Sequence, residues 1–173
     1  MTQRVFGVTG WKNSGKTTLT EKLVRVLVSR GWTVSTVKHA HHAFDIDKPG
    51  TDSFRHREAG AMEVAIVGGS RWAVMHELRG AEEPALDEVL ARLAPCDLVL
   101  IEGYKREGHP KVEARRLDAR DQTPMSRHDE TIRAVAADHS VEGERVPVFA
   151  LDDAEAIADF IERETGLAPE RSR

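Results

Sequence analysis

The segment Gly10-Trp11-Lys12-Asn13-Ser14-Gly15-Lys16-Thr17 constrains this chain more than any other stretch. It matches G-x-x-x-x-G-K-[ST] without a gap. It follows the short apolar run Val5-Phe6-Gly7-Val8-Thr9 and precedes an amphipathic pattern that starts near Lys16. A strand, a glycine turn and a helix in that order make a phosphate-binding loop, and the chemistry explains each fixed position. Gly10 and Gly15 let the backbone fold tightly, so that several N–H groups point at one anion. Lys16 brings a point charge to the β- and γ-phosphates, and Thr17 offers a hydroxyl to magnesium. The helix that begins here adds unpaired N–H groups and the positive end of its dipole.

The rest of the chain alternates between strand and helix patterns. Leu19, Leu23, Val26 and Leu27 share one helical face, and Gly31 ends that helix. Thr33 to Lys38 reads as a second strand and Thr51 to Ala59 as a short helix capped at Thr51 or Asp52. Glu63–Val67 and Trp72–Glu77 read as strands of a hairpin closed by Gly68-Gly69-Ser70-Arg71. Pro84 opens a helix with Leu86, Val89, Leu90 and Leu93 on its apolar face. Leu98-Val99-Leu100-Ile101 has the continuous apolar profile of a buried parallel strand. Further strands are expected at Lys111–Ala114, Ile132–Ala136 and Val146–Leu151, and a last helix carries Ala154, Ile157, Ala158 and Ile161. The alternation predicts an α/β domain: a mainly parallel sheet with helices on both faces, plus an antiparallel hairpin. We read 1–168 as a single nucleotide-binding domain and 169–173 as a disordered tail.

A phosphate loop needs an acid on the magnesium side, usually at the end of a neighbouring strand. Asp97 and Glu102 flank Leu98–Ile101, about 17 Å apart at strand rise, so they cannot serve one metal. Ligands bind outside the carboxyl ends of strands in such sheets, which selects Glu102 and leaves Asp97 structural. Asp45 and Asp47, after the second strand, are further candidates to reach magnesium directly or through water.

Two other clusters carry chemistry. His39, His41 and His42 gather after the second strand and suit either a transition metal or a phosphate- or partner-contacting loop. Tyr104-Lys105-Arg106, with Lys111, Arg115 and Arg116, forms a basic set suited to a phosphorylated substrate or to plain solvation. His56 and His109 read as isolated surface positions. The formal charge of −4 shows no clustered basic excess for nucleic acid. No apolar run approaches the roughly 20 residues needed to cross a bilayer. The single cysteine, Cys96, fits a reducing compartment, so the cytoplasm is the expected location.

Three stretches together, GWKNSGKTTL, VKHAHHAFDIDKPGTDSFRHREAGA and DLVLIEGYKREGHPKVEARR, resemble the molybdopterin-guanine dinucleotide biosynthesis protein B family. The middle stretch is the most specific. The resemblance implies a P-loop NTPase three-layer sandwich that binds GTP and magnesium, hydrolyses GTP weakly and is usually dimeric. The resemblance further implies a protein that assists a partner guanylyltransferase attaching GMP to molybdopterin, or that presents GTP or cofactor to it, and is not the transferase itself. On this chain the phosphate-loop role maps to Gly10, Asn13, Ser14, Gly15, Lys16, Thr17 and Thr18, and the acid role to Glu102. The chain has no Asn-Lys-x-Asp, so GTP over ATP rests on the resemblance. Two other functions compete. One is a small-molecule kinase, with Arg55, Arg57, Arg115 and Arg116 as clamp. The other is a metal-delivery GTPase with His39, His41 and His42 as cargo site.

Overall fold

Val5–Thr9 (β1) and Leu98–Glu102 (β5) pair in parallel register, Val5 opposite Val99 and Val8 opposite Glu102, so the phosphate loop and the acid leave the sheet at the same edge. The computed structural model describes residues 3–40 and 46–167. His41, His42, Asp45 and the tail expected over 169–173 lie outside the described residues.

The remaining elements are α1 (Lys16–Ser29), β2 (Val34–Lys38), α2 (Asp52–Glu58), β3 (Glu63–Val67), β4 (Trp72–His76), α3 (Leu86–Leu90), β6 (Lys111–Arg115), β7 (Ile132–Ala137), β8 (Val148–Ala150) and α4 (Ala154–Thr165). Six strands form one parallel sheet in the order β2-β5-β1-β6-β7-β8, and β3 and β4 form a separate antiparallel pair. The expected architecture is therefore present: a mostly parallel central sheet with helices and a small antiparallel hairpin. No helix among the described residues is long and apolar enough to cross a membrane.

The chain packs as two compact units, one of 1–39 with 93–173 and one of 40–92. In the first, alternate residues of four strands (Phe6, Val8, Leu98, Leu100, Val112, Ala114, Ala134, Ala136) meet Leu19, Leu23 and Leu27 of α1. Ile157, Ala158, Phe160 and Ile161 of α4 complete this layer. Each fully buried aliphatic side chain contributes roughly 1.5–3 kcal/mol, so this layer holds the sheet edge in place. Arg30, just past α1, ties the two helices by reaching Glu155, Asp159 and Glu162 of α4.

The other face of the first unit's sheet is unusual. Its residues on β6, Lys111, Glu113 and Arg115, are charged and buried. Lys111 donates to the carbonyls of Glu107 and His109 and to the Thr131 hydroxyl. Glu113 accepts from the backbone N–H groups of Met125 and Ser126, both at 3.0 Å, and from Arg115 at 2.7 Å. Arg115 also pairs with Glu144 at 2.7 Å. The connection from β5 to β6 crosses β1 as a loop, and Gly7 makes room for it. A Cβ at position 7 would stand 2.6 Å from His109 Nε2. His109 is therefore not the surface residue expected; both its ring nitrogens are buried without a hydrogen-bond partner among the described residues.

In the second unit, α2 is capped by the Thr51 hydroxyl accepting from Phe54 N. Arg57 of that helix bridges Asp47 and Glu77 at 2.9 and 3.0 Å. The helix expected from Pro84 through Leu93 shortens to Leu86–Leu90, because Ala85 at its N-cap offers no capping side chain. The last strand is likewise shorter than Val146–Leu151: Pro147 has no N–H for the ladder, and Leu151-Asp152 already turn into α4.

Candidate phosphate-loop site

The loop between β1 and α1 is built on left-handed backbone. Gly10 has φ 145°, Asn13 65° and Gly15 92°. Gly10 accepts no side chain, since a Cβ there would lie 2.4 Å from Ser14 Oγ and 2.5 Å from the Ala114 carbonyl oxygen. Asn13 is among the few residues that take this conformation readily. Ser14 turns into the interior, with its buried hydroxyl unpartnered among the described residues.

The helix that follows is left open at its N-terminus. Its N-cap, Gly15, supplies no side-chain cap, and no acid stands in its first turn. By contrast, α2 has Thr51 as cap and Asp52 behind it, and α4 has Asp153 and Glu155. A helix start without its own acceptor offers N–H groups and dipole to an external anion.

Charged groups converge on this start. Lys16 turns its ammonium back onto the Trp11 carbonyl at 2.6 Å, inside the loop. Burial first, and then the Lys105 charge, hold its pKa below the ordinary lysine value. Thr17 Oγ1 donates to Glu102 Oε1 at 2.8 Å, and Lys38 Nζ lies 3.4 Å from the same oxygen. Trp11 is fixed by its indole N–H, which donates to the Thr123 carbonyl at 2.8 Å. Over its ring sits the Lys105 ammonium, 4.1 Å from the centroid.

This donor set fits a magnesium nucleotide. Magnesium prefers oxygen ligands, takes one or two carboxylates, and completes its shell with phosphate oxygens and water. Thr17 and Glu102 are the hydroxyl and carboxylate that would hold it, and Lys16 would turn from the Trp11 carbonyl to the phosphates. The structure thus brings Gly10, Asn13, Ser14, Gly15, Lys16, Thr17, Thr18 and Glu102 to one edge. Asp97 lies at the other end of β5, its carboxylate accepting from the N–H and hydroxyl of Thr33 at 2.8 and 2.6 Å.

Other expected groups are engaged elsewhere. Asp47 accepts from Ser53 Oγ at 2.8 Å and pairs with Arg57. Lys111 is fully buried, and Arg115 is held by Glu113 and Glu144, so both are engaged away from the substrate-facing basic set expected of them. With Arg57 and Arg115 both in buried or partly buried ion pairs, the kinase clamp loses two members. Of the histidine cluster, His39 is described. Its ring packs against Tyr104, centroids 4.7 Å apart and tilted by 43°, and its backbone N–H donates to the Glu102 carbonyl at 3.0 Å. Among the described residues no three His, Cys, Asp or Glu side chains gather as a metal cluster. Sequence reasoning did not find the Trp11–Lys105 contact, nor Glu113 as an anchor. The alternation of Lys111, Glu113 and Arg115 along one strand was the available signal for the second.

Comparison with known proteins identifies the family. Residues 5–138 match the family model described as molybdopterin guanine dinucleotide synthesis protein B. The chain is 39% identical to the molybdopterin-guanine dinucleotide biosynthesis adapter protein of Haemophilus influenzae, over 91% of this chain and 87% of that one. It is 37% identical to the Escherichia coli protein of the same name, over 87% of each chain. The crystal structure of a MobB protein homolog from Bacillus stearothermophilus superposes with a TM-score of 0.72 at 36% identity, covering 96% of this chain and all of that one. The sheet order, the phosphate loop and these matches lead to one conclusion: the chain belongs to the molybdopterin guanine dinucleotide synthesis protein B family and has its P-loop NTPase fold.

Proposed function

We propose that this protein is a magnesium-GTP-binding adapter in molybdopterin guanine dinucleotide synthesis. It assists a guanylyltransferase that joins GMP to molybdopterin, and works in the cytoplasm as a homodimer. The observation that carries the nucleotide part is the Thr17–Glu102 hydrogen bond at 2.8 Å beside the uncapped start of α1. The adapter part is supported by the relatives, which carry that description at 39% and 37% identity.

Gly10, Asn13, Ser14, Gly15, Lys16, Thr17 and Thr18 form the phosphate cradle, and Thr17 and Glu102 hold magnesium. The ion neutralises charge on the β- and γ-phosphates when bound. Hydrolysis is weak in this reading. Glu102 is committed to Thr17 and to magnesium in this reading and not to an attacking water.

Calorimetric titration with magnesium GTP and magnesium ATP, on the wild type and on Lys16→Ala, tests the reading. GTP is expected to bind more tightly than ATP, and the substitution to weaken GTP by about 100-fold or more, the scale of losing a charged phosphate contact. Unchanged GTP affinity in Lys16→Ala sinks the phosphate-loop assignment. A preference for ATP would favour the kinase reading instead.

A further inference from the structure

We propose that Lys105 is a second phosphate-binding cation at this site. In this proposal it rests on the Trp11 ring and moves onto the terminal phosphate of a nucleoside triphosphate, so that the site distinguishes triphosphate from diphosphate. The proposal rests on the nucleotide-binding reading above and adds a residue and a specificity to it.

Three observations carry it. The first is where Lys105 rests. Its ammonium lies 4.1 Å from the centroid of Trp11, a residue of the phosphate loop itself, whose carbonyl already holds Lys16. One loop residue therefore holds two ammonium groups, one on its ring and one on its carbonyl. A cation over an indole is favourable but weak, about 0.5–2 kcal/mol, and a phosphate oxygen outcompetes it.

The second is charge. Lys105 and Lys38 both act on Lys16, with the Glu102 carboxylate opposing them, and Lys38 Nζ lies 3.4 Å from Glu102 Oε1. Burial lowers the pKa of Lys105, with Asp121 acting the other way. Burial and then Lys105 lower that of Lys16. Like charges brought together and partly desolvated disfavour the empty site and favour one that contains a polyanion.

The third is backbone strain. The turn that carries Lys105 back over the loop passes through left-handed backbone at Gly103 (φ 96°) and at Tyr104 (φ 46°). A tyrosine held there costs on the order of 1 kcal/mol and persists only where its surroundings hold it. They do so here, because the Tyr104 ring packs against His39 and the Gly103 N–H donates to the Val8 carbonyl at 3.1 Å. Strain of this kind clusters at ligand clamps and active sites.

The direction follows from chain order. Lys105 comes three residues after Glu102, the acid that would hold magnesium, which would neutralise charge on the terminal phosphates. A cation just beyond that acid would lie on the side of the terminal phosphate, which a diphosphate lacks.

The test is calorimetric titration of the wild type, Lys105→Gln and Lys105→Arg with magnesium GTP and magnesium GDP. It is paired with Trp11 emission in a Trp32→Phe, Trp72→Phe background. The proposal expects Lys105→Gln to weaken GTP by about 10-fold or more, the scale of one charge-assisted contact. It also expects GDP to stay within about twofold, and arginine to recover most of the loss. Trp11 emission should change on adding GTP, not GDP, and this difference should vanish in Lys105→Gln. Equal weakening of both nucleotides, or unchanged GTP affinity, overturns the assignment of Lys105 while the phosphate-loop reading stands. A wild type that binds neither nucleotide overturns both.

Discussion

The His109 ring fills the space that a side chain at position 7 would need. A Cβ on Gly7 would meet His109 Nε2 at 2.6 Å, His109 Cδ2 at 2.8 Å and Lys111 Cγ at 2.9 Å. Gly7 sits mid-strand on β1, with neighbours paired on both sides, so the backbone has little freedom to retreat. We expect Gly7→Ala to destabilise the protein by about 1–3 kcal/mol, the usual range for overpacking. Urea unfolding checks this. Adding His109→Ala should return part of the loss, whereas additive losses would show that the ring is not the obstacle.

The same ring makes stability depend on pH. Burial, reinforced by the Lys111 charge and opposed by Asp129, lowers the His109 pKa from 6.5 to about 4. The unfolded chain takes up this proton near its ordinary value, while the fold refuses it until about 4. Between those values the unfolded state binds more protons, so stability falls as pH drops from 6.5 towards 4. About 1–2 kcal/mol is expected across that window, allowing for the ring's remaining exposure. His109→Gln should flatten the slope of urea midpoint against pH there; an unchanged slope would assign it to other groups.

Glu102→Gln keeps an acceptor for the Thr17 hydroxyl and removes the charge. With magnesium present we expect GTP affinity to fall about 10-fold, since one carboxylate is the usual protein contribution to such a site. Without magnesium, affinity should hold or rise, because a negative charge near the phosphates is gone. Paired titrations with magnesium and with chelator decide this. Equal loss in both would mean that Glu102 acts on the fold and not on the metal.

Arg115→Ala strands two buried carboxylates. Glu113 and Glu144 have side chains 1% and 3% exposed, and this guanidinium is an ion-pair partner of both. Removing one partner of a buried ion pair costs about 3–5 kcal/mol, and that loss should appear in the unfolding midpoint. Protein that remains folded should still bind nucleotide, since Arg115 touches none of the proposed phosphate ligands. Loss of binding in a folded, well-protected variant would instead place Arg115 in the site.

How much of this could be read from the chain depended on how local each feature is. The phosphate loop is contiguous, and its glycine and lysine positions follow from backbone chemistry alone. Glu102 needed one further step, the rule that ligands gather at the carboxyl ends of strands. The Lys105 perch was not legible, because it requires Tyr104 to adopt a conformation that its residue type does not announce. The strand at Lys111–Ala114 was legible, but Lys111 and Arg115 read as a substrate-facing or solvated basic set, since a central strand rarely buries such residues. Only the surrounding donors and acceptors, from 107 to 144, make their burial tolerable. His109 misled for the same reason: the residue that makes room for it lies more than a hundred positions away.

The crossing from β5 to β6 takes only eight residues, 103–110, and spans β1 without a helix. It is pinned at one end by Tyr104 against His39 and at the other by Lys111, which grips the carbonyls of Glu107 and His109. Its exposed middle is Arg106, Glu107 and Gly108. A tether this short has almost no slack. With the backbone held on both sides of Arg106, the proposed movement of Lys105 falls to the rotatable bonds of its own side chain, so the tightness of the span limits the site's outer cation to the reach of one lysine.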